Sequence, residues 1–534
     1  MKFEQPQYSD GIRKGTQTKF AGLNHNVGAG DGELWDMKNL CSDYYPLLAT
    51  RPKRRKLTTL TKPNGLFSWE KLCWVDGTGF YYDGVLKGTV EDSEKSFCAM
   101  NGYIIISPDM AYYNIYQDTF GSLGAKTGAL QVSFEDGTIY GTAAAANTLR
   151  AQGTDWSQYF QIGDAVEISG CEQATANNGS FIIREIDGEV LRFYENSFTL
   201  GTENAVTVER KVPKLDFMIE NENRLWGCAE SMIYASKLGD PFNFFVYDGL
   251  DTDGFAVDAG SSGIFTGAIS YLGYPTFFKE RNIYKVYGST PSNFEIMGSA
   301  TLGLAAGSEK SLAIAGETLF YLNRNGICMY TGGVPAPISR NFGTERYRNA
   351  RAGSDGLKYW VSMQDMDDTW HLFCYDTQRG LWHEEDETRA IGFAWSEGAL
   401  YMLDDSGDLW LIGTPGTIPE GAEEEEDFDW YAEFTDFTDD SPNKKGVSKL
   451  QIRMELEENA SCTVKIQLDS DGEWVIPNDG TMEEATKRSY WLAIIPERAD
   501  HYRLRFEGTG GCRIYSISRD YYIGSESKSL PGRQ

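Results

Sequence analysis

Leu72-Cys73-Trp74-Val75-Asp76-Gly77-Thr78-Gly79-Phe80-Tyr81-Tyr82-Asp83-Gly84 is the stretch that decides the fold class. Two runs of apolar, aromatic and β-branched residues flank Asp-Gly-Thr-Gly. Its glycines admit the backbone angles that a tight chain reversal needs, so the stretch reads as a β-hairpin. The same grammar returns at 101–107, at 223–228 with 231–236, at 275–280 with 282–287, at 317–322 with 326–330, at 371–376, and at 398–404 with 408–412. Each unit runs turn, apolar strand, turn, then a strand ending in an aromatic, and it recurs at roughly 40–60 residues, the period range of propeller blades. A four-stranded sheet cannot bury both faces alone. Packing such sheets radially buries them and leaves only short, protected edges. The sequence therefore predicts an all-β chain in which 55–120 and 211–418 are blades of one β-propeller, with roughly five to seven blades. A set of β-sandwiches is the alternative.

Working outward, the text between the two blade stretches differs. Apolar runs at 160–170, 181–186 and 190–194 are joined by Asn177-Asn178-Gly179 and Asp187-Gly188-Glu189. Strands linked by such tight turns predict a small β-barrel at 121–210, inserted into the propeller. Insertion in a surface loop is tolerable because loop-closure entropy grows slowly with length. Residues 1–54 read as an extended N-terminal arm. After Pro415-Gly416 comes an acidic stretch, 419–429, that reads as an exposed linker or hairpin tip; cation binding is the less economical alternative. The strictly alternating runs 450–456, 462–468 and 502–507 predict a C-terminal β-sandwich-like domain at 430–525, with one dry and one wet face. Residues 526–534 read as a flexible tail.

The 534 residues carry a net charge of −29, with 41% hydrophobic and 13% aromatic residues. That composition sustains sizeable cores and excludes a disordered chain. No apolar run approaches the roughly 20 residues of a membrane-spanning helix, and Met1 to Asp10 lacks the apolar core of a signal peptide. The acidic balance argues against a protein that wraps nucleic acid, since phosphate contacts need excess Lys and Arg. The nine cysteines are scattered and form no Cys-x-x-Cys. They read as small buried hydrophobes in a protein folded in a reducing compartment such as the cytoplasm, with zinc or disulfide frameworks as the minor reading.

No Walker loop, His-Glu-x-x-His, Gly-x-Ser-x-Gly or dinucleotide fingerprint is present. The four histidines, His25, His371, His383 and His501, are far apart. His383 adjoins Glu384, Glu385 and Asp386 but has no second ligand at short spacing, so no metal site is assigned. No catalytic residue and no cofactor is expected either. Carboxylates are plentiful and paired carboxylates hydrolyse glycosides, which keeps a glycan-binding or glycan-cleaving propeller as an alternative. The aromatics are otherwise blade packing. The one basic run, Arg51-Pro52-Lys53-Arg54-Arg55-Lys56, reads as docking an acidic neighbour or an acidic site on another copy, with DNA contact as the lesser alternative.

Three passages together resemble the tail nozzle or hub proteins of short-tailed bacteriophages, the packaged-DNA stabilisation proteins akin to tail tubular protein B. The first is Phe20-Ala21-Gly22-Leu23-Asn24 with 32–40, Tyr45-Pro46-Leu47-Leu48 and Thr50-Arg51-Pro52. The second is the most specific: Leu225-Trp226, then Ile233-Tyr234-Ala235-Ser236, then Gly239-Asp240-Pro241. The third comprises 278–288 with 321–333. The resemblance covers about 15–120 and 211–525, and the barrel at 121–210 lies outside it.

The resemblance implies a non-enzymatic virion protein, assembled in the host cytoplasm. It implies a ring, commonly a hexamer, below the portal and its adaptor that extends the DNA channel, helps retain packaged DNA and carries tail fibre or needle proteins. Charge fits independently, because an acidic wall repels the DNA backbone and lets a duplex slide. A ring needs one patch to meet a different patch on the next copy. Arg51, Lys53, Arg54, Arg55 and Lys56 on one side, and Glu423, Glu424, Glu425, Glu426 and Asp427 on the other, are the candidate halves of that contact or of docking to the adaptor.

Overall fold

Tight reversals set the architecture. Asn101-Gly102, Glu222-Asn223, Leu272-Gly273 and Glu397-Gly398 each place two consecutive residues at left-handed φ, between +49° and +83°. Each pair lies between strands whose flanking residues face one another: Met100 and Tyr103, Asn221 and Arg224, Tyr271 and Tyr274, Ser396 and Ala399. Two successive left-handed residues make the turn whose twist matches that of paired strands. The first and second strands of four separate sheets are therefore closed by the same device.

The computed structural model describes residues 11–26, 30, 32–139, 143–416, 418–439, 443–483 and 486–523. The expected tail at 526–534, and Met1 to Asp10 of the arm, lie outside them. The chain is all-β. Among the described residues the only helical elements are four three-residue 3-10 turns, and no helix is long and apolar enough to cross a membrane. The chain divides into two compact units, Asn64–Glu309 and the residues on either side of it.

Within the 64–309 unit, four antiparallel sheets follow the chain in strict order. The first runs Pro63–Trp69, Lys71–Asp76, Gly79–Tyr82 and Val85–Thr89; the second runs Ser96–Met100, Tyr103–Ser107, Ala111–Asn114 and Thr119–Ser122. The third runs Phe217–Asn221, Arg224–Ala229, Met232–Ala235 and Phe255–Asp258; the fourth runs Gly267–Tyr271, Tyr274–Lys279, Asn282–Tyr287 and Glu295–Ala300. Each packs face to face on the next. Cys73, Val75 and Phe80 meet Ile104, Ile106 and Tyr113. Cys98, Met100 and Ile105 meet Leu215, Leu225 and Phe244. Trp226, Cys228 and Ile233 meet Phe277, Tyr284 and Val286. Alternation with a period of two sends one residue set to each neighbour, so both faces of the second and third sheets are dry.

Between the second and third sheets, Leu130–Ile139, Ala143–Arg150, Ala165–Ser169, Gly179–Asp187, Val190–Phe193 and Gly201–Arg210 pair around a closed circuit, since Gly201–Arg210 bonds both Leu130–Ile139 and Ala165–Ser169. Phe134, Leu149, Trp156, Ile183, Phe193 and Val208 fill its interior.

The other unit holds three sheets of the same kind. They run Ala313–Ala315 to Ala336–Pro337, Arg348–Ser354 to Leu381–Asp386, and Ala390–Ser396, Ala399–Asp404 and Asp408–Ile412. The last takes its fourth strand, Arg55–Thr59, from the N-terminal part of the chain, and Glu423–Glu424 adds beyond it. The expected free linker at 419–429 is thus in part an edge strand.

The expected separate arm at 1–54 is likewise revised. Leu34–Lys38 joins a sheet with Asp429–Phe434, Tyr502–Thr509, Ser461–Leu468 and Thr481–Met482. Arg13–Gln17, Leu40–Cys41 and Leu48–Thr50 join another with Cys512–Ile523, Lys445–Leu456 and Ser489–Ala493. Those N-terminal strands are two to five residues long, too short to show an alternation on their own. All nine cysteines are free and buried.

Candidate functional site

Strand Leu381–Asp386, with Glu387 and Thr388 after it, supplies residues to two charged sites in the unit outside 64–309. Pairing of Arg55–Thr59 with Asp408–Ile412 brings the basic run to its C-terminal end. Arg54 NH2 donates to Glu385 Oε2 at 2.7 Å, and its NH1 reaches Asp386 Oδ2 at 2.8 Å. Glu385 Oε1 also accepts Trp360 Nε1 at 2.8 Å. Arg51 grips Glu425 with both terminal nitrogens, at 2.7 and 2.9 Å, donates from Nε to Asn39 Oδ1, and stacks 4.1 Å from the Phe428 ring. Lys53 meets Asp427 at 2.7 Å, Arg55 meets Glu424, and Lys56 lies 3.8 Å from Asp408. Glu423 stands opposite Lys56 in the strand register, and Glu426 is exposed.

The two runs expected to meet across copies therefore meet inside one chain. The side chains of Arg51 and Arg54 are only 3% and 5% exposed, so their charges are consumed by internal partners. Burial alone would lower the Arg54 pKa, but Asp386, Glu385 and Glu425 raise it. Burial pushes Asp386 upward, yet Arg54, Thr388 and Arg51 bring it down to about 2. Glu426 is exposed and has no ion pair among the described residues; Glu424 and Asp427 are exposed but already paired, and the two arginines are buried.

Next to this seam lies a cleft of about 590 Å³. Five stretches build it: His25, Trp35 and Asp36; Glu345 and Tyr347; Asp365, Asp367 and His371; Glu384 and Glu387; and Tyr431. His371 is held at both nitrogens, Nδ1 to Glu384 at 2.7 Å and Nε2 to Asp365 at 3.3 Å. His25 Nδ1 meets Glu345 at 3.0 Å, and the Tyr347 hydroxyl donates to the same carboxylate at 2.6 Å. Burial disfavours the His371 cation, but Glu384 and Asp365 outweigh it and raise the pKa to about 9. Burial raises Glu384 despite His371.

Sequence reasoning passed over His371 and singled out His383. The structure places His383 on the opposite face of its strand, 4% exposed, where burial pulls its pKa down to about 4. Period-two alternation was the available signal: in adjacent strands Phe373 faces Glu384 and Cys374 faces His383, so Glu384 and His383 point apart.

His371 carries a pH dependence of known sign. Its folded pKa stands above the unfolded value, so its contribution is complete below about pH 6.5 and is lost as pH rises through about 9. His371→Gln is expected to lower stability by about 1–3 kcal/mol at pH 6, as expected for losing hydrogen bonds to charged groups. The gap from the natural protein narrows by pH 9.5. Urea midpoints measured at both pH values check it.

No family model matches the chain, and no curated protein matches it. Among solved structures, the computationally designed Ika8 protein is similar over 67% of this chain and 100% of its own, at 9% identity and a TM-score of 0.33. BamB from Moraxella catarrhalis is similar over 70% of this chain and 99% of its own, at 8% identity and a TM-score of 0.30. Raptor from Chaetomium thermophilum is similar over 55% of this chain and 29% of its own, at 12% identity and a TM-score of 0.26. These scores assign no function to this chain.

Proposed function

We propose that the four-stranded sheets are the blades of one β-propeller, with the closed circuit as an inserted barrel at 121–210 and the two sheets that join N-terminal to C-terminal strands as a C-terminal sandwich. The protein is a structural component of a short-tailed bacteriophage tail, the nozzle or hub. Copies assemble as a ring, a hexamer, beneath the portal and adaptor, extend the ejection channel, retain packaged DNA and anchor fibre or needle proteins. The observation that carries this reading is the run of four four-stranded sheets in the 64–309 unit, each packed on the next in chain order, in a chain of net charge −29. An acidic chain repels a passing duplex and gives its phosphates little to hold.

The seam at Arg51 and Arg54 supports a different division of labour from the one expected. It locks the N-terminal part of the chain to the last sheet, and the ring contact falls to other surfaces. The test is reconstitution. Purified protein added to particles that carry portal and adaptor but no nozzle is expected to bind and to stop leakage of packaged DNA. Failure of both overturns the reading.

The acid-lined cleft favours one second reading, a tail-tip protein that binds a host-surface glycan, because Trp35, Tyr347 and Tyr431 gather there beside the Asp367 carboxylate. Specific binding of the isolated protein to intact host cells, abolished by Asp367→Ala, would support it.

A further inference from the structure

Lys279 ends the second strand of the fourth sheet in the 64–309 unit and is 3% exposed. Among the described residues no carboxylate pairs with it. Its ammonium donates instead to Ser261, at 2.9 Å to the backbone carbonyl and 2.9 Å to Oγ. It lies under two rings, 4.7 Å from the centre of Phe265 and 5.7 Å from that of Tyr284. The Tyr284 hydroxyl donates to the same Ser261 Oγ at 2.5 Å. One serine oxygen is thus addressed by a lysine and a tyrosine that are both almost wholly buried, while the serine itself is half-buried on a loop at the surface.

A buried amine without a counter-charge is expensive to keep protonated. Burial lowers the Lys279 pKa, and Asp258 and Cys228 oppose that only in part. A lysine so placed is a general base in waiting, and serine paired with lysine is one of the arrangements that activate a hydroxyl. The loop Gly260-Ser261-Ser262-Gly263 has left-handed glycines at φ +64° and +90°, and Ser262 and both glycines are exposed. The backbone amides of Ser262 and Gly263 make no hydrogen bond among the described residues, and they are the donors this loop offers to a developing oxyanion.

We propose that Ser261 is an acyl-accepting nucleophile, with Lys279 as its general base and Tyr284 as the residue that positions Oγ, acting on neutral carboxylic esters. This goes beyond the structural role above and does not depend on it. Neutral Lys279 takes the Oγ proton as Oγ bonds to the ester carbonyl carbon. The bond from that carbon to the alcohol oxygen breaks, and the alcohol leaves with the proton from Lys279. Water then attacks the acyl-serine, its proton passing to the same amine. The carboxylic acid departs as the acyl–Oγ bond breaks, and Oγ recovers the proton. Neutral esters are favoured because the surface charge repels anions.

The test treats the full chain with a fluorophosphonate and maps the adduct by peptide mass spectrometry, with p-nitrophenyl acetate hydrolysis alongside. One adduct is expected, at Ser261 and not at the adjacent, more exposed Ser262, forming faster as pH rises. Ser261→Ala removes it. Lys279→Arg keeps a cation and its donors but cannot act as a base, and is expected to slow labelling by about 100-fold or more. Circular dichroism confirms that each variant is folded. An absent adduct, label spread over Ser262 and other serines, or an unchanged rate in folded Lys279→Arg overturns the proposal.

Discussion

Replacing Arg54 by methionine is expected to lower the free energy of unfolding by about 3 kcal/mol, because Glu385 and Asp386 then stay buried without their nearest counter-charge, with only Arg51 left at 3.9 and 3.8 Å. The side chains of Glu385 and Asp386 are 7% and 16% exposed, so solvent does little to replace the guanidinium. The cost is concentrated because this arginine ties three parts of one unit together: the fourth strand of the last sheet, the end of Leu381–Asp386, and the Glu425 segment, whose backbone amide donates to the Arg54 carbonyl at 3.0 Å. Equilibrium urea unfolding measures it, as a lower midpoint with the slope unchanged. Acid behaviour gives a second readout. Asp386 is depressed to about 2, so its contribution is present above the ordinary carboxylate range and is lost as pH falls from about 4 toward 2. The natural protein is expected to show that loss, and Arg54→Met to show a smaller one, since Thr388 and Arg51 still favour the Asp386 carboxylate. Charge reversal at Arg54 would therefore damage the fold itself. Loss of assembly in such a variant would not mark a contact between copies.

The second large effect is expected at Asp164. This carboxylate is fully buried. It pairs with Arg210 NH1, accepts Asn243 Nδ2 at 3.0 Å, and accepts the Gln161 backbone amide at 3.0 Å. Arg210 also donates to the Leu123 carbonyl at 3.1 Å and lies 4.9 Å from the Phe242 ring, while Asn243 Oδ1 accepts the Ala165 amide at 2.9 Å. The turn Gly239-Asp240-Pro241, the most specific element of the sequence resemblance, leads directly into Phe242 and Asn243. Its place in the fold is to hold the 125–210 circuit against the third sheet. Asp164→Leu leaves Arg210 buried and unpaired, at a cost of about 3–5 kcal/mol. The effect is expected to be local. Hydrogen exchange and limited proteolysis should accelerate in 125–210 while the third sheet, Phe217–Asp258, keeps its protection. Uniform acceleration through the whole 64–309 unit would show that the grip is not a separate element.

The sheets were legible because each strand is written twice, once in its alternation and once in the turn that ends it. Within the circuit the expected runs 160–170, 181–186 and 190–194 overlap Ala165–Ser169, Gly179–Asp187 and Val190–Phe193, and they were legible for the same reason. What escaped was whatever depends on pairing between distant segments. Nothing in Leu34-Trp35-Asp36-Met37-Lys38 announces that it will lie beside Asp429–Phe434. Charge made 51–56 and 423–427 visible, but not their direct pairing, because the register of Arg55–Thr59 on Asp408–Ile412 is fixed by packing that no local pattern encodes. The cleft is the extreme case. His25, Glu345, His371 and Tyr431 converge from four distant stretches, each unremarkable alone. The Ser261–Lys279–Tyr284 cluster is closer in sequence, yet a serine in a Gly-Ser-Ser-Gly loop reads as a turn until the lysine is seen to lack a carboxylate.

The assembled mass of the purified protein, measured by native mass spectrometry at low ionic strength and again on complexes with portal and adaptor, tests the central proposal most directly. A closed ring predicts a single species whose mass is an integral multiple of the chain's, six-fold on the adaptor, with images showing an axial opening. A chain that stays monomeric under both conditions, with adaptor present in excess, would contradict it.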